Sequence, residues 1–99
     1  MRRVVVTGVG IVSPLGTGIE KSWSGAKEGL SGVREITRFD ATGFPVRIAG
    51  EVPDFDAGEA IEKKELKKMD IFIQFAVAAG VMAFKDSGYQ ITEENADMV

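Results

Sequence analysis

Apolar residues in the first third of the chain recur with the spacing of one helix face. This stripe consists of Ile19, Trp23, Ala26 and Leu30. Spacings of three and four residues predict an amphipathic helix. Thr17 and Glu20 have the spacing of a capping box at its start, and Gly29, Ser31 and Gly32 are expected to end it.

A second apolar block predicts a longer helix, over Ile71 to about Ser87. Asp70 is a suitable N-cap residue, and Gly88 is a suitable terminating residue. Apolar residues surround this helix on almost every side, so most of its perimeter is expected to be buried. The other predicted elements are too few to cover it, and we therefore expect that part of the fold is missing from this chain.

The remaining segments predict strands, loops and one charged helical stretch. Val4–Thr7 is apolar without alternation, which is typical of an inner strand of a parallel sheet. Val46–Val52 alternates between two prolines and predicts an edge or hairpin strand. Residues 33–45 have no period and predict a loop, and Glu59–Met69 predicts a charged helix. Residues 96–99 resemble the approach to a further strand.

Composition excludes several classes of protein. The 99 residues carry a net charge of −3, which argues against a nucleic-acid binder that works by covering phosphates. There are no cysteines and no histidines, so the chain holds no Ser-His or Cys-His nucleophile pair, no thiolate zinc site and no histidine metal site. We predict no cofactor and no metal.

No segment predicts a membrane span or a signal peptide. The apolar block from Ile71 to Phe84 is interrupted by Gln74 and Gly80, and it falls short of the roughly 20 residues that a span requires. The apolar run behind Arg2-Arg3 is too short for a signal-peptide core. The sequence therefore predicts a cytoplasmic protein without membrane insertion.

The glycines near the N-terminus raise the question of a nucleotide site. Gly8 and Gly10 begin a G-x-G pattern, but Ser13 stands where a third glycine belongs, and Pro14 prevents a helix from starting there. An independent nucleotide-binding module stays a minor alternative. The other interpretation is that Gly8, Gly10 and Gly16 allow sharp turns and close contact with neighbouring backbone.

Serine, aspartate and tryptophan residues that could have chemical roles are interpreted as structural. Ser13 has no visible base partner, so a nucleophilic role carries little weight. Asp54 and Asp56 form a carboxylate pair with too few oxygens for calcium, and we expect them to serve the loop. Trp23 lies on the helical stripe and is expected in the core.

Longer stretches of the chain resemble a known family. The most specific are TGVGIVSPLG at the start and KKMDIFIQFA in the middle, with FDATGFPVRIAGEVPDFD between them. Together they resemble the start of a β-ketoacyl-acyl-carrier-protein synthase, most like the type II condensing enzymes. The resemblance implies an α/β, thiolase-like fold of five αβαβα layers in a homodimer. It also implies a chain about four times as long, as domain sizes allow. Residues 1–99 would then be an N-terminal fragment of the first half and not an autonomous domain.

The resemblance also implies the chemistry of the whole enzyme. Members of that family elongate fatty acyl chains by decarboxylative condensation with malonyl-acyl-carrier-protein, using one cysteine and two histidines. This chain has none of the three, so the resemblance implies that they lie beyond Val99. Residues 1–99 then contain no catalytic residue and are expected to be inactive alone. A non-catalytic chain-length subunit of a polyketide system is the alternative within the same fold.

Lysines are concentrated in one short charged stretch. Residues 62–68 contain four of the seven lysines, together with Glu62 and Glu65. On a helix Lys64 would meet Lys67 and Lys68, and such like-charge pairs cost roughly 0.2–0.5 kcal/mol each. The pattern alone fits a solvated face. The resemblance implies that Lys64, Lys67 and Lys68 belong to a basic surface that receives acyl carrier protein.

Overall fold

The computed structural model describes residues 1–58 and 60–99, and it contains helices and short strands. In chain order the elements are β1 (Val12–Ser13), β2 (Gly16–Thr17), α1 (Ile19–Lys27), β3 (Val33–Glu35), β4 (Ile48–Gly50), α2 (Lys63–Leu66) and α3 (Ile71–Ser87), followed by a 3₁₀ turn at Ala96–Met98. The strands form two separate antiparallel pairs. Val12 pairs with Thr17 in the first, and Arg34 pairs with Ala49 in the second.

Helix α3 confirms the prediction at both ends. Asp70 is its N-cap residue, with extended backbone, and the Asp70 carbonyl accepts hydrogen bonds from the Ile73 and Gln74 amides at 3.0 and 3.2 Å. The Asp70 side chain makes no capping hydrogen bond. Gly88 ends the helix in the left-handed conformation at φ 70°, which glycine adopts without steric cost.

The predicted strand at Val4–Thr7 is wrong for this structure. It has no strand assignment, and the Val4 and Val6 side chains are 96% and 82% exposed. A strand is defined by its hydrogen-bonded neighbour, and no described segment pairs with this one. The next residues, 8–10, lie directly on α3. The Val9 amide donates to the Asp86 carboxylate at 2.9 Å, and Gly8 and Gly10 contact the α3 backbone.

The start of α1 also differs from the prediction. Thr17 is paired with Val12 in the first hairpin, so Gly18, at φ 99°, takes the N-cap position without a side-chain hydrogen bond. The capping box of Thr17 and Glu20 is therefore wrong. The Thr17 hydroxyl is buried and makes no hydrogen bond to any described group.

Helix α1 buries a different face from the one predicted. Ser22 and Gly25 are its buried residues, and Gly25 packs on the Leu15 side chain. Trp23 is 61% exposed rather than in the core, and Leu30 lies beyond the helix end. The small residues of α1 face the first hairpin because they allow close approach, which leaves the large apolar stripe uncovered by described residues.

The middle of the chain is a long hairpin and a short helix. Strand β4 confirms the predicted hairpin strand over a shorter range, but its partner β3 lies inside the predicted loop at 33–45. The predicted helix at Glu59–Met69 is reduced to α2, and Glu59 itself lies outside the described residues. The chain from Ala96 to Val99 holds a 3₁₀ turn over its first three residues rather than the approach to a strand.

The described core is small and consists of small side chains. Its apolar members are Ala41, Ala57, Ile61 and Ala78. Helix α3 buries Ala78 alone, while Phe72 and Phe84 are 67% and 44% exposed. The described residues therefore do not cover its apolar perimeter, which agrees with the expectation that part of the fold is missing from this chain. No helix in residues 1–58 and 60–99 is long and apolar enough to cross a membrane.

Candidate functional site

The four lysines lie on α2 and on the turn after it. We call residues Lys63–Lys68 the lysine segment. Helix α2 ends at Leu66, Lys67 is its C-cap residue, and the Lys68 amide donates to the Glu65 carbonyl at 3.0 Å. The predicted continuous helical face is therefore wrong, because Lys64 lies on the helix while Lys67 and Lys68 lie on a tighter turn beyond it.

Two exposed ion pairs offset part of the positive charge. Lys64 Nζ lies 3.4 Å from a Glu62 carboxylate oxygen, and Lys68 Nζ lies 3.9 Å from one of Glu65. The two lysine side chains are 76% and 74% exposed. Exposed pairs of this kind contribute little to stability, with a median of roughly 0–1 kcal/mol. Their geometry leaves both ammonium groups accessible to a partner.

The Gln74 side chain of α3 is hydrogen-bonded to the backbone at the end of the lysine segment. Gln74 Nε2 donates to the Leu66 carbonyl at 3.3 Å and to the Met69 carbonyl at 3.1 Å. These carbonyls stand immediately before and after the Lys67-Lys68 dipeptide. One amide group thus binds the backbone on both sides of the turn that carries the two lysines.

An aromatic contact joins the chain before α2 to α3. The Phe55 and Phe75 rings meet edge to face, with centroids 4.8 Å apart and planes at 86°. Ile61 is 6% exposed and Ala57 is 9% exposed. The segment before α2 is therefore packed, and the lysines are carried at its outer surface.

The glycine-rich N-terminal segment has a structural role. An added Cβ at Gly8 or Gly10 would collide with the backbone of Ala83, and at Gly10 also with that of Ala79. This confirms the interpretation that these glycines allow close contact with neighbouring backbone. The first helix starts at Ile19, well after the glycines, so the geometry does not favour a nucleotide fingerprint.

Ser13 belongs to a hydroxyl network. Its Oγ lies 2.7 Å from Ser22 Oγ, both hydroxyls are within 3.2 Å of the Gly16 carbonyl, and the Leu15 amide donates to Ser13 Oγ. These contacts hold the first hairpin against α1. They account for Ser13 without a nucleophilic role.

The Asp56 carboxylate accepts a hydrogen bond from the backbone of its own loop. Asp56 Oδ1 accepts the Gly58 amide at 2.8 Å, and Asp54 adopts a positive φ of 50°. Within the described residues no group of three or more His, Cys, Asp or Glu side chains could hold a metal ion.

The sequence did not predict the roles of the Gln74 and Glu51 side chains, which hydrogen-bond to backbone groups of other segments. In the sequence Gln74 only interrupts an apolar block, although a polar group there needs a partner. Glu51 accepts hydrogen bonds from the Thr37 amide at 3.0 Å, the Thr37 hydroxyl at 2.8 Å and the Arg38 amide at 3.2 Å. These bonds, those from Thr37 foremost, lower the pKa of the Glu51 carboxyl. No local sequence signal identifies these pairings.

Comparison with known proteins places the fold in the thiolase-like ketosynthase class. A solved structure described as the ishigamide ketosynthase/chain length factor matches with a TM-score of 0.78 and 48% identity, over 95% of this chain and 23% of that one. The family model for the beta-ketoacyl synthase N-terminal domain matches residues 1–99. The chain belongs to this family.

Curated relatives agree over almost the whole chain. It is 55% identical over 98 residues to a 3-oxoacyl-[acyl-carrier-protein] synthase 2 of Vibrio harveyi and 46% identical to one of Synechocystis, covering 99% of this chain in each case. The chain spans about a quarter of the length of these relatives, 24% for both. It is therefore homologous to their N-terminal domain, as the resemblance implied.

Proposed function

We propose that this chain is the N-terminal part of a 3-oxoacyl-acyl-carrier-protein synthase that elongates fatty acyl chains by decarboxylative condensation with malonyl-acyl-carrier-protein. The observation that carries the proposal is the 55% identity to a synthase of that name across 98 residues. The curated relatives are synthases, which favours an enzyme over a non-catalytic chain-length subunit. The same proposal makes the protein a cytoplasmic homodimer.

The chemistry of the proposed reaction requires groups that this chain lacks. Condensation needs a thiolate to accept the acyl group and preorganised donors for the anion formed on loss of CO₂. The chain has no cysteine and no histidine, so we assign it no catalytic residue and expect it to be inactive alone. The proposal therefore requires the cysteine and the two histidines of the full-length protein to lie beyond Val99.

Incubation of the full-length protein with acyl and malonyl carrier substrates tests the proposal. The expected result is release of CO₂ together with formation of a 3-oxoacyl product. Failure of the full-length protein to form that product contradicts the proposal.

Within this function we assign a docking role to Lys64, Lys67 and Lys68. Residues 62–68 hold four lysines and two glutamates, a local charge of +2 in a chain of net charge −3. A strongly acidic carrier that delivers a tethered substrate must bind quickly and leave again. Exposed charges supply such steering mainly through the association rate.

Charge reversal of the three lysines tests this assignment. In the full-length protein, Lys64→Glu/Lys67→Glu/Lys68→Glu is expected to raise KM for carrier-bound substrate several-fold, because steering and docking are both lost. Turnover of a small acyl thioester without a carrier is expected to change little. Steady-state kinetics at low salt with both substrates is the measurement.

The chain offers a matched control in the three lysines outside the lysine segment. Lys21→Glu/Lys27→Glu/Lys85→Glu makes the same change in net charge at exposed positions outside the lysine segment. It is expected to leave KM for the carrier close to wild type. Equal effects of the two triple variants would show that only overall charge matters and would overturn the assignment.

A further inference from the structure

We propose that Gln74 is a positioning residue for carrier docking, because its side-chain amide fixes the turn that presents Lys67 and Lys68. This inference rests on the proposed docking role of the lysine segment. The juxtaposition is specific: one Nε2 atom lies 3.3 Å from the Leu66 carbonyl and 3.1 Å from the Met69 carbonyl. The two lysines occupy the positions between those carbonyls.

Both partners of Gln74 are acceptors, which determines the chemistry required at position 74. An NH₂ group has two donors, and a carboxylate has none. One primary amide therefore satisfies both carbonyls at once, whereas a glutamate of the same shape would set a negative oxygen against them. Polar atoms at such part-buried positions are costly to leave unpaired.

Among the described residues, few other hydrogen bonds support the turn. Helix α2 contains four residues, and single backbone bonds continue it, from the Lys68 amide to Glu65 and from the Met69 amide to Leu66. A helix this short is not stable by itself. Gln74 belongs to the 17-residue helix α3. The Gln74 amide thus fixes the lysine segment to a long helix.

Preorganisation is the reason such rigidity serves docking. Ordering a loop on binding lowers affinity, and a loop already held in its bound arrangement avoids that cost. Loss of the Gln74 bonds is therefore expected to weaken carrier docking without altering any charge on the lysines.

Two measurements on the full-length protein test the inference. In Gln74→Glu, limited trypsin digestion followed by mass spectrometry is expected to show cleavage after Lys67 and Lys68 several-fold faster than in wild type, since cleavage requires local opening. KM for carrier-bound substrate is expected to rise several-fold, while turnover of a carrier-free acyl thioester stays near wild type. Gln74→Leu, which removes the donors without adding charge, is expected to show the same pattern and serves if the glutamate variant folds poorly.

Gln90→Glu is the matched control, because it makes the same chemical change at an exposed position. It is expected to leave both readouts unchanged. Unchanged cleavage in both Gln74 variants would show that the amide does not hold the turn. The Gln74 variants could also show faster cleavage but an unaltered KM for the carrier, while the lysine reversal still raises that KM. This result would overturn the positioning role of Gln74 and leave the docking proposal standing. If the lysine reversal itself has no effect, the docking proposal falls and the positioning role falls with it.

Discussion

Glu51 shows how one half-buried carboxylate can join the two ends of a hairpin. It accepts hydrogen bonds from the backbone and hydroxyl of Thr37 and from the Arg38 amide, at the base of the loop between β3 and β4. These bonds favour the charged carboxylate and lower its pKa from the ordinary 4.5.

The lowered pKa predicts a pH-dependent contribution to stability. A group whose pKa is lower in the folded state than in the unfolded state stabilises the fold fully at pH values above its unfolded-state pKa. This stabilisation is lost as the pH falls through the folded-state pKa. Glu51→Gln is therefore expected to lower the Tm of the full-length protein at pH 7, with the difference from wild type shrinking below pH 4.5. Glu35→Gln removes the same charge at an exposed position of β3 and is the control for a general effect of charge on Tm. A Glu51→Gln difference that stays constant down to about pH 3, well below the ordinary carboxyl pKa, would contradict this account.

Candidate site residues were predictable from the sequence where charge or composition distinguished them. The concentration of lysines in residues 62–68 is visible in the sequence, and the structure leaves Lys64 and Lys68 exposed. The contacts of Gln74 and Glu51 were not predictable, because their partners include backbone groups that only the folded chain brings near.

At the scale of elements, local signals predicted helices better than strands. Helix α3 begins and ends at the predicted residues, and Gly88 ends it by adopting the left-handed conformation, a local property of glycine. Strand β3 was missed because its partner β4 lies more than ten residues away, and the capping box was wrong because hairpin pairing took Thr17. Val4–Thr7 has the composition of a buried strand, but composition does not show which segment would pair with it.

The contact between the N-terminal segment and α3 depends on the absence of a side chain at Gly10. An alanine there would meet the backbone of Ala79 and Ala83, which cannot yield as a side chain can. Gly10→Ala is expected to lower the free energy of unfolding of the full-length protein by about 1–3 kcal/mol, the usual range for overpacking. Urea unfolding is the measurement.

Val9→Ala provides the comparison at the neighbouring position. The Val9 side chain is 48% exposed, so its truncation is expected to cost less than the addition of one methyl group at Gly10. A Gly10→Ala variant as stable as wild type would show that the segment does not lie on α3 in solution.

The molecule as a whole is far more open than a folded monomer of its size. Its accessible surface is 8268 Å², against about 5,500 Å² from the usual scaling with mass for a 10.6 kDa chain. Its radius of gyration is 17.1 Å, against about 13 Å for a compact domain of 100 residues. No large side chain among the described residues is fully buried.

This openness supports the proposal that residues 1–99 do not form an autonomous domain. Too little apolar surface is buried to offset the entropy of ordering the chain. The isolated 99-residue chain is expected to unfold without a cooperative transition in a thermal melt followed by circular dichroism. A sharp two-state transition in a monomer would contradict the proposal and favour an independent module.

The central claim, that the lysine segment receives an acidic carrier, is tested most directly by the salt dependence of carrier kinetics in the full-length protein. Steering by exposed charges is screened by salt, with a Debye length of about 10 Å at 0.1 M. We predict that KM for carrier-bound substrate rises with salt in wild type, and that this rise is clearly shallower in Lys64→Glu/Lys67→Glu/Lys68→Glu. Equal salt dependence in the two proteins would contradict the claim and leave the lysines as a solvated face.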